Sequence, residues 1–428
     1  MPGLTQARFP QRRLGAGYVY AVFVLALAVV GSGWAQAATT ISVMVPDVQE
    51  AGRAYYTDTL VPAFESETGI EVDLQLTTWG GYMDRLMTLF VAGEAPDVVQ
   101  VGGEALGTLI GNGVLQPLDP WARGWRGLND FPRTALIDGT VEGRLYTIPY
   151  RLDERPLLYR KDFFADVGLD PAKPPTDWDS LLDAARKLVR YNADGAIERA
   201  GFNTEPAGDL ATIFIRQNGG RLVDSERQRA AFASPEAVGG IQFLADMVLS
   251  ARVGLPTGSP WEGADPIVTG RAAMEYHGDW TLGMMAQYDP SNPDAVGVAI
   301  PAGRVTKSGF LYVNKWAMTK TSRNPDAAWQ WIEYVSRPEV LRALSRANSF
   351  LPARRGAVTG PPYDEDARWG VILEAVEHTI PLPGNVFNLG GVMSELSKAV
   401  TKVLNGEQDP RTALTEAVPR ADALISGR

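Results

Sequence analysis

Ile41-Ser-Val-Met-Val45, Val72-Asp-Leu-Gln-Leu76 and Val98-Val-Gln-Val101 read as three strands, and a helical period fills both gaps between them. In the first gap Tyr56, Leu60 and Phe64 recur at helical spacing, and Thr68-Gly69 supplies the stop. In the second, Met83, Leu86, Met87 and Phe90 follow i, i+3, i+4, i+7 and are closed by Gly93 and Pro96. A β-α-β-α-β order implies a parallel sheet covered by helices, and such sheets bind ligands beyond the carboxyl ends of their strands. Those ends are the loops near Pro46–Gly52, Thr77–Tyr82 and Gly102–Leu106. The first loop lacks G-x-G-x-x-G, and no G-x-x-x-x-G-K-[ST] occurs anywhere, which disfavours a nucleotide cofactor. The loops instead carry Gln49 and Glu50, Trp79 and Tyr82, and Glu104, side chains suited to a polar, uncharged guest.

The register changes after Tyr150. Leu157-Leu-Tyr159 reads as a short strand, and Lys161–Val167 as a short helix ended by Gly168. Thr176 and Asp179 mark the start of a stronger helix, whose apolar face is Trp178, Leu181, Leu182, Ala185, Leu188 and Val189. Ser234 caps a helix from Pro235; Ala272–Tyr276 and Val296–Ile300 read as strands; Asn324-Pro325 opens a helix that stops before Pro338. Later residues are mostly helical, with breaks at Leu351–Pro362 and Pro381–Gly391.

A chain of 428 residues exceeds one ordinary core and suits two domains. Lys+Arg 40 against Asp+Glu 50 leaves a net charge of −10, which argues against a nucleic-acid partner because phosphates need a basic face. Without cysteine there is no thiol catalysis, disulfide or lipid-bearing Cys. Two histidines, His277 and His378, disfavour a His-based metal cage or a Ser-His-Asp triad, so no cofactor or metal is expected. Arg8, Arg12 and Arg13, the apolar run Val19 to Val30 and Ala35-Gln36-Ala37 read as a secretory signal peptide cleaved after about Ala37. The rival is an uncleaved anchor. Cleavage leaves 391 residues near −13 with no further spanning segment, and the absence of a lipidated Cys favours a periplasm.

Several segments then match together. Ala92-Gly-Glu-Ala-Pro-Asp-Val-Val99, Gly113-Val-Leu-Gln-Pro-Leu-Asp119, Gly143-Arg-Leu-Tyr-Thr-Ile-Pro-Tyr150 and Leu158-Tyr-Arg-Lys-Asp-Phe-Phe164 come first. Pro174-Pro-Thr-Asp-Trp-Asp-Ser-Leu181, Asn218-Gly-Gly220, Gly270-Arg-Ala-Ala-Met274 with Gly278-Asp-Trp280, Asn324-Pro-Asp-Ala-Ala-Trp329 and Leu351-Pro-Ala-Arg354 follow. In this order they resemble the extracellular solute-binding proteins of the maltose-binding type, which feed carbohydrate importers of the ATP-binding-cassette class. The resemblance implies an α/β fold of two lobes, each a mixed, mostly parallel sheet flanked by helices, closing on a sugar by hinge motion. It places crossings near Arg151–Glu154, Val296–Ile300 and Ser336–Leu341. Lobe one is then 38–150 and 299–338, and lobe two is 151–298 and 339–428. It also implies a monomeric, non-enzymatic receptor whose partners are a small carbohydrate and the permease subunits of the importer.

A sugar site needs aromatic faces for C–H patches and carboxylates, amides or arginines for hydroxyl groups. Trp79 and Tyr82 read as a stacking platform, against a core Trp anchoring the loop; Glu104 reads as a hydroxyl acceptor, against a solvated carboxylate. Where the resemblance faces the cleft, Asp153 is an acceptor beside Arg151, with a structural Arg151–Asp153 ion pair as the rival. Gly278-Asp279-Trp280 is a near variant of the family's Gly-Pro-Trp, which implies Trp280 as the second stacking face and Asp279 as a hydroxyl-binding acid, against a helix N-cap Asp with a core Trp. Trp261 is a rim contact, Phe310 and Tyr312 lie on a returning strand of which at most some residues reach the cleft, and Arg354 is a donor, against a surface role. Asn388, with Asn385 nearby, occupies the position where glycerol-phosphate-binding relatives carry an Arg, which points to an uncharged sugar. The alternatives are a ligand of the glycerol-phosphate type and a secreted glycoside hydrolase using Glu104 and Asp279.

Overall fold

The computed structural model describes residues 38–46, 50–204, 207–255, 265–380 and 382–427. The proposed signal peptide, Gln49 and Trp261 lie outside the described residues. Two main sheets are built from β1 (Thr40–Pro46), β2 (Glu71–Thr77), β3 (Val98–Val101), β4 (Thr147–Glu154), β5 (Leu157–Arg160), β6 (Met274–Tyr276), β7 (Val296–Ala299), β8 (Leu311–Met318) and β9 (Leu351–Pro352). The helices that matter here are α1 (Val61–Thr68), α2 (Tyr82–Ala92), α3 (Arg133–Asp138), α4 (Trp178–Leu188), α5 (Ala207–Gln217), α6 (Pro235–Ala245), α7 (Trp280–Tyr288), α8 (Pro325–Val335), α9 (Pro338–Asn348), α10 (Ala367–His378), α11 (Leu389–Leu404) and α12 (Pro410–Ile425).

The first sheet has the order β9-β4-β8-β3-β1-β2. Its β2-β1-β3 core is parallel, as the β-α-β-α-β pattern requires, while β8 and β9 join antiparallel. Strand alternation sends Ile41, Val43 and Val45 to one face, packed with Phe64 of α1 and Trp331 of α8. Met44, Val99 and Val101 go to the other, with Tyr82 and Leu86 of α2. Helices therefore cover both faces.

The second sheet, β6-β5-β7, departs from the mostly parallel pairing expected: both of its pairs are antiparallel. Hydrophobic period fixes which face is buried but not strand direction, which the long connections set. Behind this sheet, Leu157 and Tyr159 join a core made by α4, α5, α6, α11 and α12. Trp178 is in that core, stacked on Phe243 at 4.3 Å and donating from Nε1 to Gln217 at 2.7 Å. The α4 start is set by Asp177, whose carboxylate accepts from Ser180 N in a capping box; Thr176 and Asp179, singled out from the sequence, do not cap it. Ser234 caps α6 as expected.

The chain leaves the first sheet at Glu154, enters the second at Leu157, and returns between Ala299 and Leu311. It then stays with the first sheet through α8, α9 and β9: Leu341, Leu344 and Leu351 share a core with Ile41, and β9 pairs with β4. No helix among the described residues is long and apolar enough to cross a membrane.

Candidate functional site

A cavity of about 460 Å³ opens where the carboxyl ends of β2 and β3, the β4–β8 pair, the end of α9 and the start of α7 converge. Its lining is Trp79, Gly102, Glu104, Arg151, Asp153, Arg155, Trp280, Tyr312, Asn314 and Asn348.

Antiparallel register sets the floor. Arg151 stands opposite Asn314 and Asp153 opposite Tyr312, so four polar side chains share one face of β4 and β8. Phe310 is not part of it. It is wholly buried and braces Tyr312 edge-on at 4.5 Å, because the strand's flank there is covered by packed side chains. Tyr312 in turn donates to Asp209 Oδ1 at 3.2 Å.

Arg151 Nη2 lies 3.6 Å from Asp153 Oδ2 and 3.5 Å from Asp279 Oδ1. The Arg151–Asp153 ion pair is therefore real, and both partners still line the cavity. Arg155 pairs with the other side of Asp153 and lies 3.9 Å from Asp209. Both guanidinium groups sit over the Trp280 indole, Arg155 at 4.5 Å and Arg151 at 5.2 Å from the ring centroid.

Trp280 owes its position to two residues that do not line the cavity. A Cβ on Gly278 would stand 2.1 Å from the indole ring, so only glycine lets the ring fold back there. Asp279, expected to bind a hydroxyl, is wholly buried behind the indole and accepts from Leu351 N at 2.6 Å. Burial pushes its carboxyl up to about 7 against the pull of Arg151. It links α7 to β9 instead of facing the cavity.

On the opposite wall Gly81 takes a left-handed φ of 72° to start α2, and Tyr82 N donates to Trp79 O at 3.1 Å. Tyr82 is buried. Its hydroxyl donates to Gln100 O at 2.8 Å and its ring meets Trp79 at 5.4 Å, so it holds the Trp79 ring and does not reach the cavity. Glu104 folds over Gly102, where a Cβ would stand 2.8 Å from both carboxylate oxygens. Its Oε2 is buried without a hydrogen-bond partner, and burial raises its pKa despite nearby Lys315.

The remaining expected residues lie elsewhere. Glu50 is an exposed helix-start residue and Asn385 is exposed. Arg354 ties its loop to Asp130 at 2.9 Å and to Ser336 O. Asn388 takes a left-handed φ of 51° and caps α11 by accepting from Gly391 N at 3.3 Å, a local backbone role that removes it from the cavity. Four lining residues were not picked from the sequence as ligand-binding: Gly102, Arg155, Asn314 and Asn348. Arg155 sits just past the end of β4, before Pro156, where strand alternation no longer orients it. Asn348 offers an unpaired buried Oδ1 at the end of α9, a position with no local signal.

Residues 48–341 match the model of the family described as bacterial extracellular solute-binding protein. The sn-glycerol-3-phosphate-binding periplasmic protein UgpB of Escherichia coli (strain K12) is 23% identical over 440 residues, spanning 95% of this chain and 97% of its own. Among solved structures, an ABC transporter solute-binding protein from Thermotoga lettingae TMO bound with α-D-tagatose superposes with a TM-score of 0.77 at 24% identity, covering 90% of this chain and 100% of that one. The sugar-binding protein MalE from Xanthomonas citri gives 0.78 at 22% identity, covering 91% and 98%. Those likenesses carry the two-lobed fold over nearly the whole length, and the match across residues 48–341 shows that the chain belongs to the bacterial extracellular solute-binding proteins.

Proposed function

We propose that this protein is a non-enzymatic receptor that captures an uncharged saccharide in the cavity and hands it to the permease subunits of an ABC-type importer. The observation that carries the reading is the cavity's charge arrangement between two tryptophans. Each guanidinium is already faced by carboxylates, Arg151 by Asp153 and Asp279, Arg155 by Asp153 and Asp209. An anionic ligand would compete with those acids, whereas sugar hydroxyls donate to the carboxylates and accept from the guanidiniums. Trp79 and Trp280 supply the aromatic faces, and the volume lies in the usual range of small-molecule clefts, roughly 300–1,000 Å³.

A glycerol-phosphate ligand is the rival that UgpB suggests. Asn388, the sequence's argument against a phosphate, caps a helix away from the cavity and has no bearing on the choice; the carboxylates already facing both arginines carry it. Glu104 and Asp279 do not form a hydrolase pair, since Asp279 is committed behind Trp280. We place the lobe crossings at Arg155-Pro156, between Ala299 and Leu311, and beyond Pro352 in place of 336–341, on the support of the β9–β4 pairing. Residues 1–37 act as a cleaved signal, and the working compartment is the periplasm.

The test is a thermal-shift screen of residues 38–428 against mono-, di- and trisaccharides, polyols and sn-glycerol 3-phosphate. A saccharide present at 100 times its Kd stabilises by about 2.7 kcal/mol. Stabilisation by the phosphate alone, or steady turnover of aryl glycosides, overturns the reading.

A further inference from the structure

Behind the Trp280 wall, Asp265, Glu275 and His277 bring one ligating atom each to within 4.8 Å of one another. Strand geometry assembles two of them: Glu275 lies in β6 and His277 two residues on, so both side chains leave on the same side. Asp265 is fixed by its own turn, with Oδ1 accepting from Ile267 N at 3.1 Å. Its Oδ2 is 3.2 Å from His277 Nδ1 and accepts from Thr281 Oγ1 at 3.1 Å.

The cluster is acidic and buried. Glu275 is 1% exposed, and its Oε2 accepts from Asn203 Nδ2 at 3.0 Å. Its Oε1 is buried and points into the cluster, 3.9 Å from His277 Nδ1, and its hydrogen-bonding neighbour there is Asp265, so the two carboxyl groups share a proton that a cation would displace. Among the described residues neither Glu275 nor Asp265 pairs with a Lys or Arg. The two buried carboxyl groups therefore have only the His277 ring beside them to balance their charge, and they are poorly solvated.

We propose that Asp265, Glu275 and His277 bind a divalent transition-metal ion of the Zn²⁺ class. Two carboxylate oxygens and an imidazole nitrogen are the donors such ions take, whereas Ca²⁺ requires six to eight oxygens. Tetrahedral ligands at about 2.0–2.1 Å from zinc stand about 3.4 Å apart, and the 3.2 Å and 3.9 Å separations here bracket that spacing. Solvent reaching the quarter-exposed imidazole completes the fourth position. The ion joins the Asp265 turn to the end of β6 and fixes the His277 ring that meets Trp280 at 5.1 Å. Its role is to position the cavity wall, and it does not touch the ligand.

The experiment uses residues 38–428 dialysed against EDTA and then metal-free buffer, titrated with ZnCl₂, CaCl₂ or MgCl₂ by calorimetry and thermal shift without saccharide. We expect one equivalent of Zn²⁺ with a rise in Tm, and no response to Ca²⁺ or Mg²⁺. His277→Gln and Glu275→Gln each weaken zinc binding by at least about 10-fold, because losing a ligand costs no less than losing a partner behind one. The partly exposed His277 provides a readout if Glu275→Gln fails to fold. No stoichiometric zinc binding, or binding that survives His277→Gln and so resides at exposed sites such as His378, overturns the proposal. The saccharide reading stands or falls separately, since this titration contains no sugar.

Discussion

Replacing Lys315 by Met should destabilise the protein by about 3–5 kcal/mol at pH 7 and far less at pH 5. Lys315 Nζ lies 2.5 Å from Asp138 Oδ2, and the two side chains are 0% and 1% exposed. With the ammonium gone, Asp138 cannot stay ionised in its apolar site, where burial already raises its pKa. It must then hold a proton that the unfolded chain releases. At pH 7, about three units above the ordinary carboxylate value, this costs up to about 4 kcal/mol, since each unit is worth about 1.4 kcal/mol. The sign follows: a folded-state pKa above the unfolded one makes the penalty grow as pH rises and shrink as pH falls toward 4. Urea unfolding of residues 38–428 at both pH values reads the difference, and Lys315→Met with Asp138→Leu should recover most of the loss. A pH-independent loss, or a double variant as unstable as the single one, would refute the reasoning. The pair also bears on binding, because Lys315 Nζ comes within 3.7 Å of where a Gly103 Cβ would stand, beneath the turn that carries Glu104.

Trp280→Ala should weaken saccharide binding by about 10–30-fold by calorimetry, since a sugar covering about 70 Å² of indole is worth about 1.8 kcal/mol; an unchanged Kd would remove Trp280 from the contact surface. Gly278→Ala should retain the fold, read by circular dichroism, yet lose affinity comparably, because the new methyl displaces the Trp280 ring. Glu154→Gln should flatten the fall of Tm between pH 5 and 8. Burial raises the Glu154 carboxyl well above its usual range, so the folded chain holds a proton the unfolded chain loses, at up to about 1.4 kcal/mol per pH unit. Gln keeps the bond from Thr379 Oγ1, now 2.9 Å, so an unchanged slope would show that Glu154 is not the titrating group.

Short-range physics made much of this chain readable in advance. Alternation in Ile41–Val45 and the 3.6 period of Met83–Phe90 follow from local sterics and burial, and they fix the β2-β1-β3 core and the loop ends that carry Trp79 and Glu104. Gly278-Asp279-Trp280 was legible as a unit, but its division of labour was not. The glycine makes room, the acid ties α7 to β9, and only the indole meets the cavity. At the start of β8, alternation puts Phe310, just before the strand, in phase with Tyr312 and Asn314, and only the packing of distant elements decides that the first is core and the other two line the cavity. Arg155 escaped notice because its meaning lies in Asp209 and Trp280, partners far along the chain. Alternation and helical period marked out most elements and their buried faces, because those depend on neighbours a few residues away, while the strand directions of the second sheet did not follow from them. Which charged groups confront each other in the cavity was decided only when the two sheets met, because desolvation and pairing act between residues that tertiary structure alone brings together.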